Sequence, residues 1–144
     1  MNGQLKDILE EKGCDVHRID GGASVLAAVE KMVEANVGSL LVTEDGVDSG
    51  IVTERDYLRR VTLQGRNERD TAVREISSAP LVVATPETTV DECMALMTER
   101  HVRHVPVVDG AKVVGIISIG DLVKFTSEQR NVELRYLTEY IGVH

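Results

Sequence analysis

Two short segments of the 144-residue chain carry a hydroxyl residue followed three positions later by an aspartate. The first is Gly50-Ile-Val-Thr-Glu-Arg-Asp56, and the second is Gly115-Ile-Ile-Ser-Ile-Gly-Asp121. In each segment an apolar stretch typical of a strand passes into a stretch typical of a helix. Thr53 and Ser118 therefore stand at predicted helix starts, and this spacing has two interpretations.

The structural interpretation is a helix cap, in which the hydroxyl and the acidic side chain satisfy backbone N–H groups of the first turn. The chemical interpretation is a ligand site, because a helix N-terminus suits a phosphate. The hydroxyl would donate one more hydrogen bond, and the carboxylate could accept from the two vicinal hydroxyls of a ribose. Gly50 and Gly115 would let a ligand approach the backbone closely. The motifs therefore suit either capped helices or ribose phosphate sites.

The two motifs belong to an internal repeat. Residues 37–56 align without a gap on residues 102–121, a shift of 65 (102 − 37 = 65). Repeats of this kind indicate one supersecondary unit used twice. Each copy predicts an extended piece (Val16–Ile19, Leu81–Ala84), a helix beginning at Ser24 or Thr89, two strands and a final helix. The predicted fold class is α/β (α+β), with two β-α-β-β-α units.

Three segments are predicted along the chain. Residues 1–64 form the first unit with a helical lead-in, residues 65–78 form a polar linker with the second lead-in, and residues 79–144 form the second unit. The apolar spacing of its end predicts a long C-terminal helix. The residues that carry this pattern are Leu122, Phe125, Val132, Tyr136 and Tyr140.

Composition excludes several classes of function. The net charge of −8, from 16 basic and 24 acidic residues, argues against nucleic-acid binding. An aromatic content of 3% leaves no stacking platform for bases. Two cysteines are too few for a disulfide framework or a zinc site. The sequence shows no membrane-spanning stretch, no metal-ligand spacing and no nucleophile or phosphate-loop motif, so we expect a cytoplasmic protein without catalytic residues.

Over about residues 5–125, the chain resembles a tandem pair of cystathionine-β-synthase-type (CBS) domains, of the kind found as stand-alone bacterial regulators. The resemblance rests on the two motifs and on Val102-Arg-His-Val-Pro-Val-Val-Asp109, with further support from Thr85-Pro-Glu-Thr-Thr-Val90. It implies two units packed by their sheets, with ligand clefts between them. It also implies binding of an adenosine-containing ligand. The candidates are AMP, ADP, ATP, S-adenosylmethionine and NAD(H), with AMP foremost.

The resemblance also implies roles for individual residues. It assigns Asp56 and Asp121 to ribose hydroxyls, and Thr53 and Ser118 to phosphate. Further phosphate candidates are Arg103, His104 and Arg55, and the candidate adenine or backbone contacts are Thr85, Pro86 and Val102. Arg103 and His104 could equally form a solvated basic turn. The first copy has no cation at their positions, so we expect the Asp121 side to be the better phosphate site.

The predicted function is a non-enzymatic sensor that needs no cofactor, binds an adenine nucleotide and signals to a separate partner protein. A homodimer is expected, and no nucleic-acid or membrane partner. One alternative is a ligand-free interaction or scaffold module in which the motifs are only helix caps. A second alternative is a nucleotide-processing enzyme that uses Asp56 or Asp121 as a base.

Overall fold

A computed structural model describes residues 3–129 and confirms a mixed α/β architecture. Within these residues no helix has the length and apolar character needed to cross a membrane. Helices and strands follow in this order: α1 (Leu5–Lys12), β1 (Arg18–Asp20), α2 (Val25–Ala35), β2 (Ser39–Glu44), β3 (Val47–Thr53), α3 (Glu54–Tyr57), a π-helical turn (Leu58–Thr62), a 3-10 turn (Val73–Glu75), α4 (Val90–Arg100), β4 (His104–Asp109), β5 (Lys112–Ser118) and α5 (Ile119–Gln129). The predicted extension of the last helix, with Val132, Tyr136 and Tyr140, lies outside the described residues.

The described residues form two compact units. The first-repeat unit is Asp15–Val82, and the second-repeat unit combines residues 3–14 with residues 83–129. Helix α1 contributes Leu5 and Leu9 to the core of the second repeat, whereas Val73 and Ile76 are buried in the core of the first. The predicted boundaries 1–64, 65–78 and 79–144 thus follow the repeat in the sequence but not the packing. The reason is that each lead-in buries its apolar side chains in the unit of the other repeat.

The first-repeat unit contains a three-stranded sheet. Strand β1 lies parallel to β2, and β2 pairs antiparallel with β3. The turn between β2 and β3 consists of Asp45 and Gly46, both with positive φ. This conformation matches the twist of a tight hairpin and lets the two strands pair up to Glu44 and Val47. Helix α2 packs Val25, Ala28 and Met32 into this core.

The second-repeat unit contains the antiparallel pair β4–β5. The strand predicted at residues 81–84 is reduced to one parallel bridge between Ala84 and Val107. Two hydrogen bonds form this bridge, from the Ala84 N–H to the Pro106 carbonyl and from the Val108 N–H to the Ala84 carbonyl. In this register Pro106 would have to donate to residue 82 and Pro86 to Val108, and neither proline has an N–H. The bridge therefore cannot extend in either direction, which accounts for the missing strand.

The main helices of the two units begin and end at equivalent positions. Ser24 caps α2 by accepting from the Ala27 N–H, and Thr89 caps α4 by accepting from the Glu92 N–H, as the sequence predicts. Both helices end at a left-handed residue, Asn36 or His101. These caps direct the chain into β2 and β4, whose first residues lie beside the two Thr/Ser-x-x-Asp motifs.

Candidate functional site

Both motifs form reciprocal helix caps. The Asp56 N–H donates to Thr53 Oγ1 at 3.2 Å, and the Thr53 N–H donates to Asp56 Oδ2 at 2.9 Å. In the second motif, the Asp121 N–H donates to Ser118 Oγ at 3.1 Å, and the Ser118 N–H donates to Asp121 Oδ2 at 2.8 Å. The capping interpretation is therefore confirmed for both motifs. It does not exclude a ligand, because a carboxylate has acceptor sites on two oxygens.

The structure brings the predicted basic residues to the second motif. His104 pairs in register with Ser118, and the Ile119 N–H donates to the Arg103 carbonyl at 2.8 Å. Arg103 is exposed and His104 is half-buried. Val102, which follows the end of α4, lies at the same end of the hairpin. A carboxylate, a hydroxyl, a helix N-terminus and two basic residues therefore share one region of the second-repeat unit.

The first motif has the same backbone arrangement without these basic residues. The Glu54 N–H donates to the Gly38 carbonyl at 3.1 Å, and Ser39 pairs in register with Thr53. Gly38 and Ser39 occupy the positions that Arg103 and His104 hold in the second repeat (38 + 65 = 103, 39 + 65 = 104). Arg55 is exposed in the first turn of α3. The two regions differ in charge, as the sequence indicates.

Two predicted contacts lie elsewhere in the second-repeat unit. Ala84 bridges Val107 in a parallel arrangement, so the following residues Thr85 and Pro86 lie toward the Asp109 end of β4. Ser118 is at the opposite end, beside the first residue of that strand. Within this unit, the structure therefore does not bring Thr85 and Pro86 together with Asp121. Their role as adenine contacts stays a prediction.

A residue that the sequence analysis missed contacts the second motif. Lys12 Nζ, at the end of α1, donates to Asp121 Oδ2 at 2.7 Å and to the Ile116 carbonyl at 2.9 Å. No sequence pattern indicates this contact, because 109 positions separate Lys12 from Asp121. It forms because α1 packs on the second repeat.

The surroundings of Asp121 act on its pKa in opposite directions. Burial is the largest single influence and raises the pKa, since it disfavours the charged form. The hydrogen bond from Lys12 and the backbone N–H of Ser118 lower it, and together the lowering influences prevail. The pKa of Asp121 is therefore below its ordinary value, and the group is a carboxylate at neutral pH.

The glycine that precedes each motif at the same spacing has a packing reason in this structure. A Cβ on Gly50 would lie 2.7 Å from the Ser78 carbonyl oxygen, and a Cβ on Gly115 would lie 2.6 Å from Leu9 Cδ2. The close approach that the sequence analysis expected of a ligand is thus made by the protein's own chain. These glycines do not by themselves indicate a ligand.

Two cavities lie near the motifs in the described part of the chain, and neither forms a ligand-sized pocket at a motif aspartate. A cavity of about 60 Å³ is bordered by Lys12, Asp121 and Phe125. It is smaller than pockets that hold small-molecule ligands, which measure about 300–1,000 Å³. A groove of about 530 Å³ lies in the first-repeat unit between α2 and α3, but Asp56 does not line it. The larger groove is therefore not at a motif carboxylate.

Comparison with known proteins establishes the family. The CBS domain pattern matches residues 5–62 and again residues 73–128. These two matches cover both repeats and most of the chain. The chain belongs to the CBS domain family and contains a tandem pair of these domains.

Similar proteins and structures are also CBS-domain proteins. The mitochondrial CBS domain-containing protein CBSX3 of Arabidopsis thaliana is 41% identical, over 95% of this chain and 71% of its own. A Burkholderia ambifaria structure, provisionally described as a signal-transduction protein with CBS domains, is 44% identical with a TM-score of 0.82, covering 85% of this chain and 93% of its own. The hexameric CBS-CP12 protein from bloom-forming cyanobacteria is 33% identical with a TM-score of 0.78. The match covers 85% of this chain and 71% of that protein.

Proposed function

We propose that this chain is a non-enzymatic regulatory module that binds an adenosine-containing ligand at the Asp121 motif and signals to a separate protein. AMP is the leading candidate ligand. One observation carries the proposal: the Asp121 carboxylate stands at the start of α5, and Arg103 and His104 lie at the same end of the hairpin. The carboxylate suits a vicinal diol, and the helix N-terminus with its basic neighbours suits a phosphate.

The remaining acceptor capacity of Asp121 supports this proposal. Its Oδ2 accepts from the Ser118 N–H and from Lys12, while its Oδ1 has no hydrogen-bond partner within residues 3–129. A ribose can therefore be accepted without first removing the helix cap. The role in signalling is supported by the Burkholderia relative, whose description names that function.

A ligand-free interaction module is the second candidate, and the completed caps favour it. Both aspartates already satisfy backbone N–H groups, so each motif has a structural purpose without any ligand. The cavity at Asp121 is also small on its own. Direct binding measurements separate the two candidates, because only the first requires a nucleotide.

Calorimetry with AMP, ATP, S-adenosylmethionine and NADH tests the proposal, with thermal unfolding as a second readout. A ligand that binds only the folded chain raises its melting temperature. We expect at least one of the four to bind, and chromatography to recover it unchanged. Absence of binding by all four at millimolar concentration would exclude the proposal in favour of the interaction module. Turnover of the nucleotide would indicate the enzyme alternative.

A matched pair of variants locates the site. Asp121→Asn keeps the shape of the side chain but weakens the hydrogen bonds to ribose, and we expect a loss of affinity of about tenfold. Asp56→Asn makes the same change beside a motif without Arg103 and His104 equivalents. We expect Asp56→Asn to leave the affinity for the nucleotide at the Asp121 site nearly unchanged. Equal losses in both variants would contradict the assignment to Asp121.

The partners and location predicted from the sequence stay predictions. The homodimer is supported by exposed apolar side chains on α2 and on the π-helical turn after α3, including Val33 at 76% exposure and Leu58 at 54%. The cyanobacterial relative is described as hexameric, so self-association occurs in a similar protein. Placement in the cytoplasm is likewise untested, and the Arabidopsis relative is named mitochondrial.

A further inference from the structure

Among residues 3–129, the contact between Lys12 and Asp121 has no counterpart in the first repeat. Ile116 and Ile51 are equivalent positions (51 + 65 = 116), and each carbonyl accepts one hydrogen bond from a lead-in segment. The Ile51 carbonyl accepts from the backbone N–H of Ser78 at 2.9 Å, whereas the Ile116 carbonyl accepts from Lys12 Nζ at 2.9 Å. The backbone N–H that donates to this carbonyl in the first repeat is thus replaced by a side-chain ammonium in the second.

The Lys12 ammonium contacts the Asp121 carboxylate, which is the group proposed to hold the ribose. Lys12 Nζ lies 2.7 Å from Asp121 Oδ2, and the exposed fractions of the two side chains are 39% and 21%. An ion pair of this exposure contributes little to stability, so a ligand can displace it. An uncharged diol that donates to both carboxylate oxygens of Asp121 displaces Lys12 from Oδ2 and leaves the ammonium without its anionic partner. A ligand with a phosphate supplies a new anion.

Resting on the proposed function, we propose that Lys12 determines specificity at the Asp121 site by favouring anionic nucleotides over uncharged nucleosides. Two effects act in the same direction. Competition for Asp121 weakens the binding of adenosine, and attraction to the ammonium strengthens the binding of AMP. The ratio of the two affinities therefore reports on Lys12 more directly than either affinity does.

Other charges border the same cavity. Lys124 adds a second cation, and Glu11 and Glu128 add two carboxylates. None of these three has a recorded ion pair with Lys12 or Asp121 among the described residues. Lys12 is thus the side chain whose charge is positioned directly on the Asp121 carboxylate.

Calorimetry on the full chain with AMP and with adenosine tests this inference. Each measurement uses the Asp56→Asn background, which weakens any binding at the first motif so that the Asp121 site dominates the signal. Lys12→Met keeps the length of the side chain and removes its charge. We expect the AMP-to-adenosine affinity ratio to fall about fivefold, the size expected when one charge near a surface site is lost. Lys12→Arg should keep the ratio.

Lys6→Met is the matched control, because Lys6 is an exposed lysine of the same helix and should leave the ratio unchanged. An unchanged ratio in Lys12→Met, or equal weakening of both ligands, overturns the role of Lys12. If the wild type binds AMP but the Asp56→Asn chain does not, the inference fails while nucleotide binding stands. If the wild type binds neither ligand, the proposed function fails with it.

Discussion

Asp56 and Asp121 show how two residues with the same local pattern acquire different properties. Both accept a hydrogen bond from the N–H of their cap residue. Thr53 Oγ1 also donates to Asp56 Oδ2 at 3.0 Å, whereas Asp121 Oδ2 accepts from Lys12. The sequence spacing predicts the shared cap, but the second partner of each carboxylate depends on what packs beside it.

The lowered pKa of Asp121 predicts a pH-dependent contribution to stability. A carboxyl whose pKa is lower in the folded state stabilises the fold above its unfolded pKa of about 4. This contribution is lost as the pH falls through the folded value. We expect the wild type to exceed Asp121→Asn in free energy of unfolding by about 1 kcal/mol or less at pH 6. The difference should shrink below pH ~4, as urea unfolding followed by circular dichroism would show.

Lys12→Met provides the control for this pH dependence. Lys12 lowers the pKa of Asp121, so its removal should weaken the dependence. A stability difference between the wild type and Asp121→Asn that stays constant from neutral to acidic pH would contradict the assignment. The measurement needs no ligand and therefore tests the ion pair independently of the proposed function.

Strands β3 and β5 are equivalent elements with different neighbours. Ile51 exchanges both backbone hydrogen bonds with Ser78, at 3.0 Å and 2.9 Å. At the corresponding part of β5, the atoms that a Cβ on Gly115 would meet belong to the Leu9 side chain. A backbone neighbour cannot move without breaking hydrogen bonds, whereas a leucine side chain can change its rotamer. The two glycines should therefore differ in their tolerance of a larger residue.

We predict that Gly50→Ala destabilises the chain more than Gly115→Ala. The new methyl group in Gly50→Ala meets the Ser78 carbonyl, and overpacking of this kind costs about 1–3 kcal/mol. In Gly115→Ala the strain is partly relieved by Leu9, so the loss should be smaller. Urea unfolding of both variants gives the comparison, and equal losses or the reverse order would refute it.

At the scale of the whole molecule, each lead-in packs with the repeat that it does not precede directly. Leu5 is fully buried with the second repeat, and Ile76 is fully buried with the first. The linker predicted at residues 65–78 is therefore a structural part of the first-repeat unit. This arrangement makes residues at the start of the chain necessary for the packing of residues near its end.

Hydrogen exchange on two large-to-small variants tests which unit each lead-in packs against. Leu5→Ala and Ile76→Ala each remove a buried side chain, at an expected cost of about 2–5 kcal/mol. We expect Leu5→Ala to reduce amide protection mainly in β4, β5 and α4, and Ile76→Ala mainly in β1–β3 and α2. Loss of protection mainly in the first-repeat unit in Leu5→Ala would contradict the observed division.

The repeat, the caps at Ser24 and Thr89, and the hairpins could be predicted from the sequence because they depend on neighbouring residues. The motif residues and the charge difference between the repeats could also be predicted, because both follow from the residue types at equivalent positions of the repeat. The missing strand before α4 was not predicted, since the effect of Pro106 and Pro86 on the ladder depends on which residues of β4 pair with Ala84. Thr85 and Pro86 were placed at the site by resemblance alone, and the unit does not bring them to Asp121.

By itself, the sequence determined that this protein is a tandem repeat with two hydroxyl–aspartate motifs and an excess of positive charge beside the second. Only the tertiary structure decided that α1 belongs with the second repeat and that Lys12 reaches Asp121. The physical reason is the range of the interactions. Caps and turns form between residues a few positions apart, whereas burial of a lead-in depends on which apolar surface remains uncovered after both repeats have folded.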